Sequence, residues 1–167
     1  MKNAILLGPM KTWTISLEER GRSELNASDQ ALVDAALAHL PQAHAPYSCF
    51  HVAAAVRLED GQILVGTNQE NASYPVGICA ERVALSAASS VAPGKAVTAM
   101  AVVYAPQGQT SSKPLPPCGM CRQALHEQKT RQNAPLELLM CGVEGPVWKA
   151  ADASDLLPFA FSGEELP

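Results

Sequence analysis

Phe50-His51-Val52-Ala53-Ala54-Ala55-Val56-Arg57-Leu58-Glu59-Asp60-Gly61-Gln62-Ile63-Leu64-Val65-Gly66-Thr67 reads as strand, tight turn, strand. Asp60-Gly61 is a strong hairpin signal between two β-prone runs. The unbroken apolar run 53–56 predicts a strand covered on both faces. Outward from this hairpin, a helix is expected to start at Ser28-Asp29, carry Leu32, Val33, Ala36, Leu37 and Leu40 at helical spacing, and stop at Pro41 and Pro46. An alanine-rich helix is expected over 79–90, a strand over 97–104, a Gly/Ser/Pro loop over 106–116, a helix over 118–129 and a strand over 135–141. Gly145-Pro146 punctuates a turn, and 152–156 reads as a short helix. Residues 13–17 alternate and are expected to form an added edge strand. The order helix, hairpin, helix, strand, helix, strand predicts an α/β fold with helices over a central mixed sheet, the later helices crossing between parallel strands.

With 167 residues, 47% of them hydrophobic and 17% charged, one domain with a substantial core is expected. A net charge of −4 and 5% aromatic residues argue against a duplex or single-strand nucleic-acid binder and favour a small substrate. The apolar run 4–7 is too short for a signal sequence or a membrane span. With five cysteines, a reducing cytoplasm is the expected location, and C-x-x-C there points to metal or redox chemistry.

Two segments carry the chemistry: Cys79-Ala80-Glu81-Arg82 and Pro117-Cys118-Gly119-Met120-Cys121. Each puts a cysteine at an expected helix start, where unpaired N–H groups and the helix dipole favour a thiolate. Cys118 and Cys121, at i and i+3, share a face. Three protein ligands with an open fourth position are the arrangement of a catalytic zinc. Three thiolates overcharge such a site, and Arg82 is the first candidate for compensation, with Arg122 the second. Glu81, two residues from a ligand, suits a proton shuttle beside the ion, and a low-dielectric pocket raises its pKa. A lone C-x-x-C is more often half of a structural zinc site, and a fourth ligand would then come from Cys49, Cys141 or a histidine. The joint occurrence of both segments favours catalysis; Cys49 and Cys141 are then expected to be buried thiols.

The stretch Asn68 to Arg82, with Pro117 to Leu125, resembles the core of the homotetrameric zinc-dependent cytidine deaminases. Tyr47-Ser48-Cys49-Phe50-His51-Val52 is similar to that family's Y-S-x-F-x-V strand entry, and Leu156 to Phe161 to its L-L-P-x-x-F tail. The resemblance spans 28–166 and implies a three-layer α/β/α cytidine-deaminase-like domain over 28–167, preceded by an extension, 1–27, of unassigned role. It implies one Zn2+ per subunit on Cys79, Cys118 and Cys121, with Glu81 shuttling protons. It further implies that Asn68 and Glu70 hold the ribose, that Phe50 packs on the nucleoside, and that the Ala80 N–H binds the base carbonyl. The Pro116 carbonyl would accept from the exocyclic amine, and Phe161 would close a neighbouring subunit's site. The implied reaction is hydrolytic deamination of cytidine and 2′-deoxycytidine, in a homotetramer with shared sites and no nucleic-acid or membrane partner. Two departures stand out: Ala53 stands where the family has Gly, which adds a methyl in a tight strand and bears on local packing, and Pro116 stands where it has Ser or Thr, which removes a hydroxyl and bears on selectivity. The competing readings are a same-fold hydrolase of a modified cytosine nucleoside and a structural zinc protein.

Overall fold

The computed structural model describes residues 12–166. Strands β1 (Glu18–Arg20), β2 (Phe50–Leu58), β3 (Ile63–Thr67), β4 (Val97–Pro106), β5 (Glu137–Gly142) and β6 (Val147–Ala150) form one mixed sheet, ordered β1-β6-β5-β4-β2-β3. The hairpin pairs Ala53 with Thr67 and Arg57 with Ile63. β4 and β5 run parallel, and the other neighbours are antiparallel. The parallel step needs a crossover, which helix α3 (Gly119–Gln132) supplies.

Helices α1 (Ala27–His39) and α2 (Ala80–Val91) lie on opposite faces of the sheet, and α3 shares the α2 face. The alternation of β2 sorts the layers. Val52, Ala54, Val56 and Leu58 pack with Ala84, Leu85 and Ala88 of α2 and Leu125 of α3. Ala53 and Ala55 point the other way, with Ala99 and Ala101 of β4, against Leu32, Val33 and Ala36 of α1. The double burial expected of β2 follows from this period of two.

Three expectations need correction. The edge strand is Glu18–Arg20, pairing with β6, and not 13–17. All three of its residues are exposed, so charge and not apolar alternation marks this edge. α1 is capped by Asn26, whose side chain accepts from the Asp29 N–H at 2.8 Å. Asp29 is instead buried inside the helix, ion-paired to Arg57 at 3.1 Å and Lys149 at 2.9 Å. β6 was not foreseen; it returns beside β5 after the Gly145-Pro146 turn. Among the described residues no helix is long and apolar enough to cross a membrane.

Candidate active site

The loop after β3 brings the expected residues together. Gln69 and Ile78 exchange backbone hydrogen bonds of 3.0 Å in both directions, closing 70–77 into an excursion. Glu70 and Cys79 therefore border the same cavity of about 450 Å3, which Tyr47, Ser48, Asn68 and Tyr74 also line.

Cys79 is the N-cap residue of α2 and Cys118 that of α3, and neither side chain caps its helix. The Cys79 and Cys118 sulfurs lie 3.8 Å apart, and those of Cys118 and Cys121 3.5 Å apart. All three fall within 4.8 Å of one another. Zinc–sulfur bonds of about 2.3 Å at tetrahedral angles separate sulfurs by about 3.8 Å, so the donor set fits zinc. Cys121 is buried, Cys79 half-buried and Cys118 exposed. Among the described residues no other Cys, His, Asp or Glu joins the cluster. Without metal, the hydrogen bond from Cys121 draws the Cys79 thiol down to about 6. The same contact, with burial, pushes Cys121 up.

Tight packing fixes the start of α2. A β-carbon on Gly66 would lie 2.7 Å from the Ala80 carbonyl oxygen and would collide with the Ala84 nitrogen, so only glycine lets α2 sit this close to β3. Ala80 is fully buried there. Glu81, in the first turn, is 5% exposed, and burial raises its pKa above the ordinary carboxylate range.

Glu70 stands at the cavity wall. Its carboxylate accepts from the N–H groups of Tyr47 and Ser48 at 2.9 and 3.2 Å and from the Ser48 hydroxyl at 2.5 Å. The Ser48 and Tyr47 bonds hold its pKa below the usual value. Asn68 accepts from the Val52 N–H and donates to the Phe50 carbonyl, both at 2.9 Å. The Phe50 ring stacks on Tyr104, with centroids 5.1 Å apart. Tyr104 and Ser48 are site neighbours that sequence reasoning missed. Ser48 lay inside the quoted Tyr47–Val52 motif, while Tyr104 carried no motif.

Of the expected site residues, Asn68, Glu70 and Cys79 line the cavity, and Phe50, Ala80, Glu81, Cys118, Cys121, Pro116, Phe161 and Arg82 lie outside its lining. Pro116 is exposed in the loop before Cys118. Phe161 is 59% exposed, with its carbonyl held by Gln123 Nε2 at 2.8 Å. Arg82 is half-buried in a groove between α2 and α3, and its charge helps lower Cys79. Arg122 donates from Nε to the Pro117 carbonyl at 2.9 Å, latching the loop that presents Cys118. Cys141 is buried, and burial pushes its thiol up to about 11. Cys49 corrects the expectation of two buried thiols: it is exposed, at a φ of 55° where the chain turns into β2.

The chain matches the cytidine and deoxycytidylate deaminase zinc-binding region over residues 26–134. It is 37% identical over 137 residues to a cytidine deaminase of Halalkalibacterium halodurans, covering 82% of this chain and 96% of the relative. A cytidine deaminase of Mycobacterium tuberculosis is 39% identical over 125 residues, covering 75% of this chain and 83% of the relative. The crystal structure of a Burkholderia pseudomallei cytidine deaminase superposes with a TM-score of 0.67 at 42% identity, covering 78% of this chain and 97% of that one. The Cys79, Cys118 and Cys121 cluster fits one zinc ion per subunit within that region. By sequence, fold and donor set, the chain belongs to the cytidine and deoxycytidylate deaminase family.

Proposed function

We propose that the protein hydrolytically deaminates cytidine and 2′-deoxycytidine, releasing ammonia and the uracil nucleoside. One observation carries the reading: a buried acid, Glu81, two residues from Cys79 in a three-sulfur cluster, with Cys79 itself lining a cavity that Asn68 and Glu70 also border. Cys79, Cys118 and Cys121 hold the zinc, which, when bound, supplies the Lewis acidity that makes water a competent nucleophile at neutral pH. Glu81 accepts a proton from the attacking water and passes it to N3 of the base as oxygen bonds to C4. Glu81 then carries the remaining hydroxyl proton to the exocyclic amine. The C4–N bond breaks, the carbonyl forms and ammonia leaves. A raised pKa lets one carboxyl both accept and return these protons.

Asn68 and Glu70 bind the sugar. The Asn68 amide keeps one N–H beyond its bond to Phe50, and the Glu70 carboxylate keeps lone pairs beyond its three bonds. A hydroxyl that both donates and accepts suits that pair. Phe50 packs on the nucleoside, the Ala80 N–H binds the base carbonyl and the Pro116 carbonyl accepts from the amine. Arg82 offsets the excess thiolate charge. Phe161, exposed at the end of the tail, closes the pocket of a neighbouring copy in a homotetramer. Five free cysteines suit a reducing cytoplasm. The exposed Cys118, and a cluster without a fourth ligand among the described residues, favour this reading over a structural zinc site.

An ultraviolet assay of the zinc-loaded protein on cytidine, 2′-deoxycytidine and cytosine tests it. Both nucleosides should turn over and free cytosine far more slowly. Cytosine as the best substrate would remove the roles of Asn68 and Glu70. A zinc-loaded chain inert on all three would leave the structural reading standing.

A further inference from the structure

The extension before α1 and the tail after β6 meet at the surface. The Trp13 and Phe159 rings lie 4.5 Å apart by centroid, their planes 57° apart. Phe159 has a φ of 61°, a left-handed backbone that a bulky side chain disfavours. Two residues on, the Phe161 carbonyl accepts from Gln123, which lies on α3 two residues beyond Cys121. The tail is thus held at Phe159 by the extension and at Phe161 by the metal-bearing end of α3.

The other end of the extension is fixed to the sheet. Glu19 pairs with Trp148 across β1 and β6, and its carboxylate accepts from the Trp148 indole N–H at 2.7 Å. Arg22 donates to the Gly142 carbonyl at 2.8 Å. Residues 18–22 are thus tied to the sheet, and Trp13, five residues before Glu18, reaches the tail. Trp13 is 51% and Phe159 80% exposed, so their contact can be removed without opening the core.

We propose that Trp13 is a positioning residue: the N-terminal extension braces the C-terminal tail and thereby sets where Phe161 meets the nucleoside. This rests on the reading of Phe161 given above. Glu81 and Cys121 sit in α2 and α3, and Cys79 and Cys118 cap those helices, whose core packing does not involve the extension. Loss of the brace therefore weakens substrate and transition-state binding alike, which raises KM and spares kcat.

The test compares full-length, zinc-loaded wild type with Trp13→Ala, Trp13→Phe, Phe159→Ala and Phe161→Ala. It reads hydrogen exchange in the 157–161 peptide and steady-state kinetics on cytidine. In Trp13→Ala and Phe159→Ala, tail exchange and KM should each rise roughly two- to tenfold, the span expected of one aromatic pair, with kcat held within about twofold. The Trp13→Ala, Phe159→Ala double variant should do no more than either single, and Trp13→Phe should restore both readouts. Unchanged tail exchange in Trp13→Ala and Phe159→Ala overturns the brace. Faster exchange with an unchanged KM overturns its role in positioning. Phe161→Ala separates the two readings: a KM unmoved by that variant removes Phe161 from the pocket, whereas the exchange data report on the brace in either case.

Discussion

The side-chain amide of Asn68 donates to the backbone carbonyl of Phe50 at 2.9 Å, tying the proposed sugar-binding residue to the strand that carries the proposed nucleoside-packing ring. The same amide accepts from Val52. Asn68→Ala leaves two backbone groups of β2 without partners, at about 1–3 kcal/mol each. Chemical denaturation should show the loss in stability, and kinetics a raised KM. Asn68→Asp keeps the acceptor and loses the donor, so it should recover only part of the stability.

Gly66→Ala tests how the site is placed. The added methyl meets backbone of α2 at Ala80 and Ala84, so helix and strand must separate. The expected cost is about 1–3 kcal/mol by thermal or denaturant unfolding. Because Cys79 and Glu81 ride on that helix start, competition with a chelator should also show weaker zinc retention. Stability and zinc retention both matching wild type would mean that the close approach does not position the site.

Asp29 provides a pH test remote from the metal. Burial alone would raise its pKa, but hydrogen bonds from Lys149 and Arg57 outweigh it and hold the carboxyl below its usual value. A depressed folded-state pKa contributes stability above the unfolded value, lost as pH falls through the folded one. Thermal unfolding from about pH 7 to about pH 3 should therefore show an acid-side decline that Asp29→Asn flattens, with the variant already less stable at neutral pH. An unaltered profile would remove Asp29 from the acid response.

These examples mark what the sequence makes legible. The β2–β3 hairpin was readable because its turn and apolar runs are local signals. The cysteine cluster was readable because two helix starts each declare a thiol. What was missed is long-range. Asn26, Ser28 and Asp29 are all cap-forming residues, and the choice among them depends on Arg57 and Lys149, 28 and 120 residues from Asp29. β6 is only four residues long, with half-buried Trp148 and Lys149 at its centre, so it shows little apolar pattern. β1 has none and exists through pairing with β6. Cys49 is exposed and takes a positive φ, and no turn-forming glycine or asparagine at that position signals it.

The central claim is that Glu81 moves protons at a zinc site it does not build. Glu81→Gln keeps the shape of the side chain and removes its ability to accept a proton. Metal content and turnover of cytidine should be measured on the same preparation. The account predicts about one zinc per subunit, as in wild type, with kcat lower by roughly 10²–10⁴-fold. Near-native turnover at full zinc occupancy would contradict it.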